Sequence, residues 1–187
     1  MPLNITEFKG ALTGDGARPN MFQVYIQNPV SQIAKDTMPF LVKAAEIPAA
    51  TLGEIQQFYQ GRAIKYAGDR TYADWTVTIV NDEDFIIRDA MERWNNAING
   101  ARSNSRNAGF ALAAQYKTSA TVTQLSKTGA PLRTYGFEGI YPKEISNIAL
   151  DWSVNDTIEE FTVTFSYDFW EVGGPGVLGQ VTTPLFN

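Results

Sequence analysis

The 187-residue chain contains no cysteine and no histidine. Without cysteine there are no disulfides, no thiolate nucleophile and no Cys-ligated zinc or iron–sulfur site. Without histidine there is no Ser-His-Asp triad, and the usual zinc ligand and the commonest general base near neutral pH are missing. Asp, Glu, Lys or Tyr can still carry catalysis, so these absences disfavour an enzyme without forbidding one. No apolar run reaches about 18 residues, so no membrane-spanning segment or membrane anchoring is expected. The opening Met1–Phe8 has neither a basic segment nor an apolar one, so no secretory signal is expected, and synthesis and folding in a cytoplasm follow. Charged residues make up only 19% of the chain, whereas 44% are hydrophobic and 12% aromatic, which excludes a natively disordered polymer. Length favours one domain, or one domain with appendages, burying roughly 70% of its unfolded surface.

Strand signals dominate what is present. Asn20–Gln27 alternates, with Phe22, Val24 and Ile26 on one face. Trp75–Ile79 sets Trp75, Val77 and Ile79 against Thr76 and Thr78. Phe161–Phe169 is the cleanest case, apolar or aromatic at odd positions and Thr, Thr, Ser and Asp at even ones. A period of two means one buried face and one wet face. Weaker strand signals lie at Phe40–Ile47, Gln56–Tyr66, Ala120–Leu125, Tyr135–Tyr141 and Ile148–Trp152. One helix is expected over about 82–99: Asn81–Asp84 supplies capping side chains, Ile87, Met91, Trp94 and Ile98 recur at helical spacing, and Gly100 stops it. The Ser-, Asn- and Arg-rich Ala101–Gly109 reads as a loop, and Val172–Val177 as a glycine break before an apolar tail that is either disordered or docked on a neighbour.

Charge is segregated along the chain. The net charge is −5, yet Arg93–Phe137 carries Arg93, Arg102, Arg106, Lys117, Lys127 and Arg133 without an acid. From Asp151 onward there are six acids and no base. Such blocks are either solvated faces or complementary contacts between copies. The bases are too dispersed for a nucleic-acid patch. Asp82, Glu83 and Asp84 are explained by a helix start rather than a metal, and Gly14–Asn20 is a turn before a strand, lacking the Lys-Ser/Thr of a phosphate loop. A carboxylate pair such as Asp151 and Glu159 has nothing to fix its separation. No catalytic residue, cofactor or metal site is expected.

Three stretches go further. Gly16-Ala17-Arg18-Pro19-Asn20-Met21-Phe22-Gln23-Val24 resembles the start of the tail tube proteins of T4-like contractile-tailed phages. Ala67-Gly68-Asp69-Arg70-Thr71-Tyr72-Ala73-Asp74-Trp75-Thr76-Val77-Thr78 with Asn81-Asp82-Glu83 is similar to that family's central segment. Gly139–Pro142, Leu150–Trp152, Ile158–Thr164 and Asp168–Glu171 are similar to its C-terminal third. The likeness covers roughly residues 10–171 in matching order; Asn28–Thr37 and the segment after Glu171 depart from it.

The resemblance implies a mainly β subunit, a small barrel or sandwich of two packed antiparallel sheets with one flanking helix. It further implies hexameric rings stacked head to tail into a hollow tube inside a contractile sheath, conducting DNA into the host cell from the virion. Inner tubes of bacteriocins and other contractile injection systems, and tube-fold baseplate or tail-completion components, are the alternatives. The implied partners are the chain itself, the sheath protein, baseplate hub, tail terminator, tape measure protein and transiting DNA. The β domain is expected over 1–171, with an N-terminal arm at about 1–16 and a loop at about 100–117, followed by an extension over 172–187. Candidates for the lumen face are Asp74, Thr76, Thr78, Thr162, Thr164, Ser166 and Asp168, although the same alternation fits an outer surface. Candidates for inter-subunit contact are Arg93, Arg102, Arg106, Lys117, Trp170, Leu178 and Phe186.

Overall fold

A computed structural model describes residues 5–12, 16–31, 39 and 41–173. Two antiparallel sheets share one long strand. The first has the order β1 (Phe22–Ile26), β6 (Thr118–Leu125), β7 (Pro131–Ile145) and β9 (Phe169–Gly173). The second runs β2 (Val42–Ala45), β5 (Trp75–Val80), β8 (Glu160–Ser166) and then the far half of β7. The expected mainly β subunit of antiparallel sheets is observed. Among the described residues the edge strands β1 and β2 come near each other without forming a ladder.

β7 crosses between the sheets at Gly139. Its residues up to Ile140 pair with β6, and Tyr141–Ile145 pair with β8. Gly139 has φ +71° and is skipped in the β6 ladder. A Cβ there would overlap the Asp168 carboxylate, so the corner requires glycine on both counts.

The alternation seen in the sequence becomes the core. Val24, Ile26, Ala120, Val122 and Phe137 point inward from one sheet, and Trp75, Val77, Ile79, Phe161, Val163 and Phe165 from the other. Trp75 stacks on Phe137 across the gap, with centroids 4.5 Å apart and planes 9° apart. The flanking helix α2 (Ile86–Ile98) buries Ile87, Ala90, Met91 and Trp94. It lies beyond the ends of β1 and β6. Asn28, just after β1, donates to the Ala90 carbonyl at 3.3 Å, and the Trp94 indole donates to the Tyr116 carbonyl at 3.0 Å. Thus α2 continues the layer of the first sheet and covers the inner face of the second.

Several boundaries differ from expectation. The helix begins at Ile86, not near residue 82, because Phe85 takes a left-handed conformation (φ 53°) and Asp82 instead caps from outside, accepting from the Ile86 amide at 3.2 Å. Phe161–Phe169 is not one strand: the chain turns the corner at Tyr167 and Asp168 and re-enters the other sheet as β9. Gln56–Tyr66 is two strands. β3 (Ala50–Tyr59) and β4 (Arg62–Tyr72) form a hairpin around Gln60-Gly61, both at positive φ, as a two-residue turn demands. Ile148–Trp152 is a loop rather than a strand: Ile148 packs at the margin of the core, whereas Leu150 and Trp152 stand exposed. The stretch expected as a plain loop at 100–117 contains a 3-10 turn at Ala108–Phe110 and the one-turn helix α3 (Ala113–Tyr116), and the N-terminal arm contains the exposed helix α1 (Ile5–Ala11).

Candidate assembly surfaces

Five of the hydroxyl side chains expected on the lumen side share one face. Thr76, Thr78, Thr162, Thr164 and Ser166 all lie on the outer face of the second sheet, opposite the core. Thr76 and Thr164 are directly paired, with hydroxyl oxygens 3.4 Å apart, and Thr78 faces Thr162. Period-two alternation put them there, because their neighbours are the buried Trp75, Val77, Ile79, Phe161, Val163 and Phe165. Two ion pairs border the sheet, Lys143–Asp74 at 2.6 Å and Lys43–Glu160. The hydrogen bond from Lys143 to Asp74 raises the Lys143 pKa.

Asp168 stands apart from the threonines. It sits in the corner between β8 and β9, where its carboxylate takes the Lys117 ammonium at 2.6 Å. That hydrogen bond raises the Lys117 pKa against a smaller opposing effect of burial. A lumen candidate and an inter-subunit candidate are therefore partners within one chain. Arg93 is exposed and bridges to Asp89 one helical turn back at 2.8 Å. Arg106 holds the Ala111 carbonyl at 3.2 Å and lies over the Tyr116 ring. Arg102 is exposed and makes no ion pair among the described residues. Trp170 packs half-buried against Tyr72 and Tyr135 at the margin of the core. Leu178 and Phe186 lie outside the described residues, as do most of the departing segments 28–37 and 172–187.

Two further surfaces were not singled out from the sequence. The first sheet has its own hydroxyl face, Ser119, Thr121, Thr123 and Thr134, with the last two oxygens 3.2 Å apart. The alternation of Ala120 and Val122 with Thr121 and Thr123 was the available signal.

The second surface is the β3–β4 hairpin. All ten residues of β3 are exposed, and Leu52, Ile55, Phe58, Tyr59, Ile64 and Tyr66 are each 42–66% exposed. A two-stranded ribbon with no third layer cannot bury its apolar side chains by itself. It is an arm that leaves the body at Ala50 and Tyr72. Its base is held by the Tyr167 hydroxyl, which donates to the Ala73 carbonyl at 2.7 Å, and by the tilted Tyr72–Tyr167 ring pair. Burial pushes the Tyr167 pKa up to about 12.

The match to known sequences decides the family. Residues 17–173 fit the family model described as phage tail tube protein. The tail tube protein gp19 of Enterobacteria phage T4 is 36% identical over 160 residues, covering 85% of this chain and 93% of that protein. The chain belongs to the phage tail tube protein family. The tail tube protein of Serratia phage KSP90 is 26% identical over 168 residues. Among solved structures, the fold is similar to a chain of the anti-feeding prophage tube-terminating cap (TM-score 0.65, 14% identity, 94% of this chain and all of that one). It is also similar to a chain of the sheath–tube complex of an extracellular contractile injection system (TM-score 0.54, 14% identity, 92% and 99%).

The segments carrying the tail tube resemblance can now be placed. Ala17–Asn20 is the turn entering β1, and Asp74–Thr78 and Phe161–Thr164 build the adjacent strands β5 and β8. Ala67–Tyr72 is the inner half of the arm. There Gly68 faces Gly53 across a bulge so closely that a Cβ on Gly68 would stand 3.1 Å from the Gly53 carbonyl carbon. A side chain at that crossing would push the facing backbone back by a few tenths of an ångström.

Proposed function

We propose that this chain is the repeating structural subunit of a phage tail tube, a virion component without enzymatic activity. In this reading it assembles as hexameric rings stacked into a hollow conduit within a contractile sheath. The carrying observation is the arm, an apolar ribbon that has nothing to pack on among the described residues. Family membership supports a neighbouring copy as what it packs on. Among the described residues each sheet ends in an edge strand, and ladders between subunits in a ring would remove such edges.

The threonine face of the second sheet suits the bore. With α2 in the other layer, this sheet offers an uninterrupted strand surface, neutral along its middle. Six copies at −5 each would give a ring of about −30, which favours passage of a polyanion over its retention. The tail sheath protein, baseplate hub, tail terminator and tape measure protein are the further partners this reading implies, with DNA passing through the lumen.

Electron microscopy of the purified protein tests the subunit reading. Rings or tubes of uniform diameter with six-fold averages are expected, and monomers at every concentration would overturn it. The bore is tested separately with Thr164→Cys. In assembled tubes a small maleimide should reach the thiol while a bulky polymer maleimide should not. Equal labelling by both would place the threonines on the outside.

A further inference from the structure

We propose that the loop 146–159 is the receiving surface for the β3–β4 arm of a second copy stacked along the tube axis. This rests on the tube reading and names the contact that propagates it. The arm and the loop leave opposite ends of the same two strands. The arm feeds β5 at Trp75, which pairs with Phe165, whereas the loop feeds β8 at Glu160, which pairs with Val80 at the other end of the ladder. Two interacting elements at opposite poles of one chain cannot satisfy each other within it. Placed on successive copies they generate an open filament.

The loop is chemically matched to the arm. It exposes Trp152 at 98%, Leu150 at 85%, Ile158 at 72% and Val154 at 57%. Side chains this apolar and this exposed on a short loop mark a contact surface. Asp151 builds the tip. Its side chain accepts from the Ser153 amide at 2.9 Å and the Ser153 hydroxyl at 2.7 Å, and its carbonyl accepts from the Val154 amide, which turns Trp152 outward. The two Ser153 donors also hold the Asp151 carboxyl below its ordinary pKa. Behind the tip, Ile148, Leu150, Val154 and Ile158 line an open hollow of about 460 Å³, room for aromatic side chains from outside.

Charge agrees with this pairing. Residues 146–159 carry Asp151, Asp156 and Glu159 and no base. The distal arm, Phe58–Tyr66, carries Arg62 and Lys65; Lys65 meets Glu54 of its own hairpin at 3.1 Å, and Arg62 is the cation left to face a neighbour. Apolar side chains ringed by opposite charges on the two partners give both burial and register.

Because the chain has no native cysteine, engineered pairs report the contact cleanly. Assembled protein carrying one cysteine on the arm, at Phe58 or Ile64, and one on the loop, at Leu150 or Trp152, should give a ladder of covalent multimers on oxidation. Reductant should collapse the ladder. Phe58→Cys combined with Leu112→Cys should give none. Tubes that form without any arm–loop ladder, or a ladder in the Leu112 pair, would overturn the contact and leave the tube reading intact. Unsubstituted protein that never assembles would overturn both. In a second measurement, Trp152→Asp should leave the circular dichroism of the monomer unchanged, since that side chain is almost wholly exposed. It should raise the subunit concentration needed for tubes by about tenfold or more. An unchanged threshold, or normal tubes that merely fail to take up sheath, would count against the proposal.

Discussion

The Tyr167 hydroxyl donates a 2.7 Å hydrogen bond to the Ala73 carbonyl, joining the corner after β8 to the two-residue link between the arm and β5. Tyr167 also packs edge-on against Phe137, with centroids 5.3 Å apart, so the arm's root is tied directly to the core.

Tyr167→Phe should keep the ring packing and lose this bond, lowering stability in urea by about 1 kcal/mol. The phenol titrates near 12 when folded, raised mainly by burial, against about 10 when unfolded. The protonated phenol is therefore favoured in the fold. Its contribution is complete below pH 10 and disappears as pH rises through 12. Ultraviolet titration of the eight tyrosines should show a late component that the variant lacks.

Gly139→Ala should be costly. The position demands a left-handed backbone, worth about 1–2 kcal/mol to an L-residue, and the new methyl meets Asp168. Urea midpoints should fall accordingly. Asp168→Ala in the same background should recover part of the loss, because it removes the obstruction but not the backbone strain.

Trp94→Ala removes the largest side chain that α2 buries and orphans the Tyr116 carbonyl. A loss of about 3–5 kcal/mol is expected by thermal or chemical denaturation. Any loss of assembly in this variant should come with a lowered unfolding midpoint, whereas Trp152→Asp should weaken assembly without one.

Arg102→Glu with Arg106→Glu should weaken polymerisation if the basic stretch meets acid on a neighbour. Arg106 also pins the Ala111 carbonyl, so the single Arg102→Glu variant is the cleaner probe. Shorter tubes by electron microscopy are expected, and unchanged length would exclude the stretch from the interface.

The two-sheet core was legible in the sequence because alternation carries it: Phe161, Val163 and Phe165 are buried as their spacing requires, and the threonines between them emerge on one face. The strand break at Tyr167 and Asp168 was hidden, since the alternating pattern runs through the corner without interruption. The corner packs against Gly139 on another strand, where the Asp168 amide donates to the Glu138 carbonyl at 2.9 Å, a tertiary contact with no local signal. Gln56–Tyr66 looked like one strand because Gln60-Gly61 is a weak turn signal beside two β-rich flanks. Leu150 and Trp152 were read as strand for the same reason that makes them interesting now: they are apolar residues with no core of their own. The Lys117–Asp168 pair joins residues 51 positions apart and carries no local signal.

The placement of arm and loop has a mechanical consequence. In a tube joined by the proposed arm–loop contact, a pull along the axis would enter each subunit at Trp75 and leave at Glu160, at opposite ends of the antiparallel β5–β8 ladder. Tension applied that way loads the rungs of the ladder in shear, all at once, instead of unzipping them one after another. A subunit loaded in this manner resists stretching far better than one whose rungs are peeled apart in turn.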